Sequence, residues 1–171
     1  MKNKIIIKKL NLKDVNNRYL DWMNDLEVTK FTEQRFKKHS LSDIKKFVKE
    51  KNNSKTEYLF GIFINQKSTL IHIGNIKLGP IDKFHRSAEV SYIIGDKNFW
   101  KKGIGSKAVK LLIKVAKKQF QLKKLIAGCY GNNYGSIKVL KRNLFKKEAS
   151  LKSQVIFGSK RVNKLIFGLL I

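Results

Sequence analysis

The sequence predicts a mixed α/β (α+β) domain, a β-sheet with helices packed on its faces. Three observations carry this. β-rich runs come first, helical segments are wedged between the later strands, and the 171 residues contain a single proline and no Gly/Ser-rich linker or internal repeat. At 42% hydrophobic and 29% charged, a chain of this length buries a real core, which sets aside disorder and fibrous repeats. No window approaches the ~20 uninterrupted apolar residues of a membrane helix.

In chain order, Ile5–Leu10 reads as a first strand and Lys13–Asn24 as a helix carrying Tyr19, Leu20, Trp22 and Met23. Ser40 and Ser42 are both N-cap candidates for a second helix running through Lys51, with Ile44, Phe47 and Val48 as its apolar stripe. Tyr58–Asn65 and Leu70–Leu78 are β-rich runs separated by Gln66-Lys67-Ser68-Thr69, which suits a hairpin. Ala88–Gly95 is a further strand, and Asp96–Trp100 a polar turn with two aromatics. Lys101–Ser106 then enters a long amphipathic helix. Ile104, Ala108, Leu111, Leu112 and Val115 fall on one face of it, and Lys107, Lys110, Lys114 and Lys117 on the other. Strand Lys124–Tyr130, a helix from Tyr134 to Asn143, and strand-like segments at Leu144–Glu148, Val155–Gly158 and Lys164–Leu170 complete the chain.

The charge is extreme, with 38 Lys and Arg against 12 Asp and Glu, a formal +26. Acidic partners are implied. Only five cations are arginine (Arg18, Arg35, Arg86, Arg142 and Arg161), and lysine is the weaker residue for bidentate recognition of phosphates or bases. A solvated lysine surface accounts for the excess as well as a binding face does. Residues 97–171 carry nineteen basic groups and one acid, Glu148, a net +18, and the first 96 residues carry +8. A bound polyanion is therefore expected on the C-terminal half.

The lone Cys129 has no partner for an internal disulfide, and Met1–Leu10 has only three consecutive apolar residues after its lysines. The cytoplasm is the expected compartment. His39, His72 and His85 are scattered without metal-ligand spacing, so no metal site is expected.

The chemistry concentrates between Ala88 and Phe120, in a strand, a glycine loop and a helix. Gly103 and Gly105 before a helix can turn several backbone N–H groups toward one point, where unpaired amides and the helix dipole favour a phosphate. A Cβ would block both the tight turn and the close approach of an anion. Two glycines at a helix start are also an ordinary turn. Gly103-Ile104-Gly105-Ser106-Lys107-Ala108 lacks the GxxxxGK(S/T) spacing of a P-loop and the third glycine of a GxGxxG fingerprint. NTPases and Rossmann dehydrogenases are set aside.

The run AEVSYIIG-DKNFW-KKGIGSKAV resembles motif A of the GNAT superfamily of acetyl-CoA-dependent N-acetyltransferases, particularly the RimJ/RimL-like branch. There the loop reads (Gln/Arg)-x-x-Gly-x-(Gly/Ala), with Trp common in first place, and Trp100-Lys101-Lys102-Gly103-Ile104-Gly105 fits that form. Asn133-Tyr134-Gly135-Ser136, followed by Val139-Leu140 and Phe145, is similar to the NxxS…GF signature of the next motif. Trp22–Val28 looks like the branch's first-helix stretch. Two positions depart from the pattern: Leu144 replaces a glycine, and Leu140 stands where many members carry a tyrosine.

The resemblance covers essentially the whole chain and implies a GNAT-like fold. Its sheet is central, mixed and mostly antiparallel, with about seven strands, splayed at the cofactor-binding strand and flanked by about four helices. It implies acetyl-CoA as co-substrate. The pantetheine arm would pair with the backbone of Ile93, Ile94 and Gly95, and the pyrophosphate would lie on the N–H groups of Lys101, Lys102, Gly103, Ile104, Gly105 and Ser106. Asn133 would bond the pantetheine.

The implied reaction needs a base for an alkylammonium and stabilisation of an oxyanion. Glu89, eleven residues before Trp100, matches the strand glutamate that serves as base in some members, and shares a face with Ser91 and Ile93. An ion pair with Arg86 or a lysine is the alternative. Ser136 leads the candidates for general acid, ahead of Tyr134 and Tyr130. Cys129 reads as a small buried side chain, His85 as a loop residue, and Trp22, Phe31 and Phe36 as packing.

The branch includes enzymes for protein N-termini and for small amines or nucleotide-linked amino sugars. A +26 chain repels basic ribosomal proteins and attracts a nucleotide-sugar diphosphate. A small amine such as an amino-sugar nucleotide is the expected acceptor, with a ribosomal protein N-terminus as the alternative. Two rivals of another class are a non-enzymatic nucleic-acid binder and a peripheral membrane protein using the Lys107–Lys117 face. The first expects interleaved arginines and aromatics or a reading helix, which the scattered lysines do not supply; the second needs the helix's apolar side free. A homodimer is a further expectation.

Overall fold

Seven strands form one sheet in the order β1-β2-β3-β4-β5-β7-β6; the computed structural model describes residues 4–66 and 69–171. Strands β1 (Ile5–Lys9), β2 (Tyr58–Gln66), β3 (Thr69–Asp82) and β4 (Ser87–Ile94) run antiparallel to one another in succession. β5 (Lys124–Tyr130) lies parallel to β4. β6 (Lys146–Phe157) and β7 (Lys160–Leu170) form a hairpin whose second strand inserts beside β5. The crossover between β4 and β5 holds the longest helix, as a parallel connection requires.

Alternation along the strands separates two cores. On one face Ile76, Leu78, Ala88, Val90, Leu125, Ala127 and Phe167 pack against helix α4 (Ile104–Lys118) and helix α5 (Tyr134–Arg142). On the other, Leu59 and Phe63 pack against helices α1 (Asn17–Asn24) and α3 (Leu41–Asn53) through Tyr19, Trp22, Ile44 and Val48. α4 buries Ile104, Gly105, Ala108, Val109, Leu112 and Ala116 and exposes Lys107, Lys110, Lys114 and Lys117. Its apolar stripe therefore belongs to the core, which removes the surface that membrane docking needs.

Several boundaries differ from the expectations. The segment Lys13–Asn24 is not one helix. A 3-10 turn at Leu12–Asp14 ends before Asn16, whose side chain accepts from the Tyr19 N–H and starts α1 afresh. Asp25 then caps the single turn α2 (Leu26–Thr29), which joins the four longer helices around the sheet among the described residues. Of the two serines, Ser40 is the cap of α3, in a reciprocal box with Asp43. The three C-terminal strand-like segments merge into the two long strands of the β6–β7 hairpin. Lys67 and Ser68 of the expected hairpin turn lie outside the described residues.

The missing glycine before Phe145 leaves the turn intact. Leu144 itself adopts φ +66°, with its N–H bonded to the Lys141 carbonyl and that of Phe145 to the Leu140 carbonyl. The side chain is 76% exposed, so leucine occupies a left-handed helix terminus with little packing in return.

Candidate functional site

β4 and β5 separate in mid-course. Their pairing covers only Ser87↔Lys124, Ala88↔Leu125 and Glu89↔Ile126, while β4 runs on to Ile94 and β5 to Tyr130. Beyond Glu89 the strands leave a V-shaped notch. The Gly95 N–H donates to the Ile73 carbonyl at 2.9 Å. Antiparallel alternation then turns the amide groups of Ser91 and Ile93 toward β3 and those of Tyr92 and Ile94 into the notch. The Trp100 indole N–H takes the Ile94 carbonyl at 2.8 Å. Ile94 lines the notch, Ile93 and Gly95 turn to β3, and Tyr92, which the sequence pattern did not single out, takes their place.

The start of α4 lies at the open end of the notch, where a Cβ on Gly105 would stand 3.7 Å from the Tyr92 ring. Gly103 is the N-cap, at φ +74°, and no side chain caps the helix. The Lys107 N–H makes the first bond to a helix carbonyl, that of Gly103 at 3.1 Å. The N–H groups of Ile104, Gly105 and Ser106 precede that ladder. A Cβ on Gly103 would meet nothing within 4 Å, so glycine is required by the backbone and the space before the amides is open to an anion. Lys101 and Lys102 are exposed beside it.

Two polar residues assigned to ligand contact have structural partners. Ser106 Oγ accepts from Asn143 Nδ2 at 3.1 Å, tying α4 to the end of α5. Asn133 Oδ1 accepts the Ser136 N–H at 3.0 Å and caps α5. Its neighbour Asn132 keeps a buried Oδ1 with no partner among the described residues. This acceptor, on the turn after β5, would suit an amide N–H. A diphosphate on the α4 amides, followed by an amide-bearing chain along Tyr92 and Ile94, fits these groups.

Glu89, the last paired residue of β4, stands at the apex. It is exposed on the face shared with Ser91 and makes no ion pair among the described residues. Arg86, the expected rival partner, donates instead to the Gln121 carbonyl at 3.0 Å. Across the sheet, Ser136 Oγ and the Tyr92 hydroxyl are 2.8 Å apart. Burial raises the Tyr92 phenol well above its ordinary value, which keeps it neutral. Glu89 and the Tyr92–Ser136 pair thus lie on opposite faces of β4.

The other candidates are packed, hydrogen-bonded or solvent-facing, and Phe36, expected to pack, is 64% exposed. Burial pushes the Cys129 thiol up to about 11, the state of an inert core cysteine. Leu140 is 1% exposed and belongs to the core. The Tyr130 hydroxyl donates to Glu33 Oε1 at 2.7 Å and accepts from Arg35 at 2.8 Å, while Tyr134 is 78% exposed. Trp22 packs on Gly95, where a Cβ would strike its ring, and Phe31 stacks on Phe157. Among the described residues no His, Cys, Asp or Glu group is arranged to hold a metal ion, and no helix is long and apolar enough to cross a membrane.

The model of a family described as acetyltransferase (GNAT) domain matches residues 4–146. Among solved structures, an acetyltransferase of the GNAT family from Bacillus anthracis superposes with TM-score 0.81 at 20% identity, over 99% of this chain and 97% of that one. A spermidine N-acetyltransferase from Vibrio cholerae, solved with CoA and spermine, gives 0.84 at 17% identity over 97% and 95%. RimL, a ribosomal L7/L12 alpha-N-protein acetyltransferase solved with coenzyme A, gives 0.85 at 16% identity over 100% and 96%. At these identities the likeness is one of fold.

Proposed function

The chain belongs to the acetyltransferase (GNAT) family and is an acetyl-CoA-dependent N-acetyltransferase, and we propose that Glu89 is its general base and a small anionic amine, such as an amino-sugar nucleotide, its acceptor. One observation carries the base assignment: the unpaired Glu89 carboxylate stands where the strands part, on the face opposite α4. When bound, acetyl-CoA supplies an activated acyl carbon whose C–S bond breaks as the C–N bond forms.

The residues divide the remaining work. The N–H groups of Ile104, Gly105 and Ser106 hold the pyrophosphate, with Lys101 and Lys102 adding positive charge. Tyr92 and Ile94 offer amide groups to the pantetheine arm, and the orphaned Asn132 Oδ1 offers an acceptor. Glu89 takes the proton of the acceptor ammonium. Ser136, hydrogen-bonded to the neutral Tyr92 phenol, offers a hydrogen bond to the departing sulfur, which leaves as a thiolate and takes its proton from water. A thiol of ordinary pKa near 8.5 needs little help as a leaving group, so Ser136 is the lesser contributor.

Acceptor choice rests on charge. A +26 chain disfavours polyamines and basic ribosomal peptides and favours an anionic nucleotide. The arginines do not form the interleaved surface a nucleic-acid binder uses: Arg35, Arg86 and Arg161 donate to backbone carbonyls of the chain itself. A lone cysteine, buried and free, suits a reducing compartment, which we propose is the cytoplasm.

Glu89→Gln is the test. It keeps the shape and removes the base, so kcat should fall by about 10²-fold or more while the KM for acetyl-CoA stays within about twofold. Unchanged kcat would remove Glu89 from the mechanism.

A further inference from the structure

On the Glu89 face of the sheet, two strand glycines are each covered by a charged side chain from a neighbouring strand. Lys164 of β7, paired with Tyr130, bends back along the sheet so that its Cε lies 3.1 Å from where a Cβ on Gly128 would stand. The Glu148 carboxylate covers Gly168 in the same way. Any larger residue at either position would push these groups off the sheet. Glu148 is neutralised by Lys124 at 3.0 Å. Lys164 is half-buried and makes neither an ion pair nor a side-chain hydrogen bond among the described residues.

The register fixes the layout. Glu89 pairs with Ile126 and Ile126 with Gly168, so Glu89 and Glu148 mark one row. Gly128, with Lys164 over it, lies two residues beyond Ile126, about 7 Å further along β5, and Ile126 is one spacing of about 4.8 Å across from Glu89. Between them Ile126 and Ile166 form a half-buried apolar floor. The groove has the free Glu89 carboxylate at the apex of the notch and Lys164 at its far end, where Tyr130, its register partner, holds Glu33 and Arg35 together.

We propose that Lys164 is the specificity-determining residue of this groove, and that it binds an anionic group, phosphate or carboxylate, carried by the same molecule as the reacting amine. The acceptor is then a zwitterion that places its ammonium at Glu89 and its anion at Lys164. This rests on the acetyltransferase reading of Glu89 and narrows it. An ammonium with no partner of its own, its stem laid along the sheet over Gly128, is free to meet an anion, whereas a polyamine would meet like charge at the same point.

The test compares four amines with the full chain: glucosamine, glucosamine 6-phosphate, 2-amino-2-deoxyglucuronate and spermidine, following thiol release. The wild type should take at least one of the two anionic sugars with a kcat/KM about tenfold or more above glucosamine, mostly through KM, and which of the two it prefers separates phosphate from carboxylate. Lys164→Gln should erase that ratio and Lys164→Arg should retain it, with the affinity for coenzyme A, read by calorimetry, unchanged in both. A wild type that binds coenzyme A yet takes all four amines equally, prefers spermidine or takes none overturns the inference. So does a Lys164→Gln variant that keeps the preference. Where some amine is turned over, the role of Glu89 stands on its own test; where none is, the small-amine reading falls together with this inference; a fall in kcat on every amine alike would instead assign Lys164 to the fold.

Discussion

Leu144 and His72 are the residues at which local chemistry and the fold disagree most visibly. Leu144 holds φ +66°, a conformation costing a leucine about 1 kcal/mol relative to glycine, and its exposed side chain offsets little of that. Leu144→Gly should therefore raise Tm by about 2–4 °C; a lower Tm by thermal denaturation would show that leucine packs better than its exposure implies. His72 is 4% exposed, ringed by Tyr19, Trp22 and Phe63, with Nε2 on Asn75 Oδ1 at 2.9 Å and Nδ1 without a partner among the described residues. Burial holds its pKa below the ordinary value. The unfolded chain then binds the proton more readily than the folded one, so stability is full above about pH 6.5 and falls as pH drops from there toward the lower folded pKa. The Glu57 carboxylate, held low by Lys51 and Lys77, acts only at lower pH, where its stabilisation is lost as it protonates. Tm measured from pH 8 to 5 should begin to fall near 6.5, and His72→Gln should flatten that first step. A wild-type profile flat to pH 5.5 would contradict it.

Among the elements, β4 and the entrance of α4 were the most legible in the sequence, because both depend on short-range signals. Ala88–Gly95 reads as a strand on its own run of residues, and glycines before an amphipathic run mark the helix. The splay was not legible from the residues themselves, since a strand that loses its partner keeps the same letters; only the family resemblance implied it. For the same reason the sequence pointed to Ile93, Ile94 and Gly95, while hydrogen-bond parity, set by the single bond from Gly95 to Ile73, selects Tyr92 and Ile94. The Tyr92–Ser136 pair joins β4 to α5 across 44 positions, a long-range contact that no spacing rule reports. The break at Asn16 is hidden in the sequence because Tyr19, Leu20, Trp22 and Met23 keep helical spacing while the capping asparagine sits inside the run. At the α4 entrance the expectation is quantitative. Gly103→Ala adds a methyl that meets no protein atom but must hold φ +74°, so stability should drop by about 1 kcal/mol. The KM for acetyl-CoA should rise about tenfold as the amides lose their anion, with kcat little changed. An unaltered KM would place the pyrophosphate elsewhere.

At the scale of the whole molecule, one sheet serves two purposes. Its ends are closed by ordinary pairing and two hydrophobic cores, and its middle is opened by strands that part after three residue pairs. The excess of lysine over acid gathers in the half that contains the opening, so the overall field and the local amides act on the same anion. The Glu89 carboxylate, proposed above as the base, sits where β4 and β5 part, on the face away from α4, so that donor and acceptor would approach from opposite sides. The crystal structure of the chain with coenzyme A tests this most directly. The account predicts the pyrophosphate on the N–H groups of Ile104, Gly105 and Ser106, the pantetheine arm bonded to Tyr92 and Ile94, and the sulfur beside Glu89 and Ser136. Coenzyme A bound outside the notch, or β4 and β5 paired through to Ile94 in the complex, would contradict it.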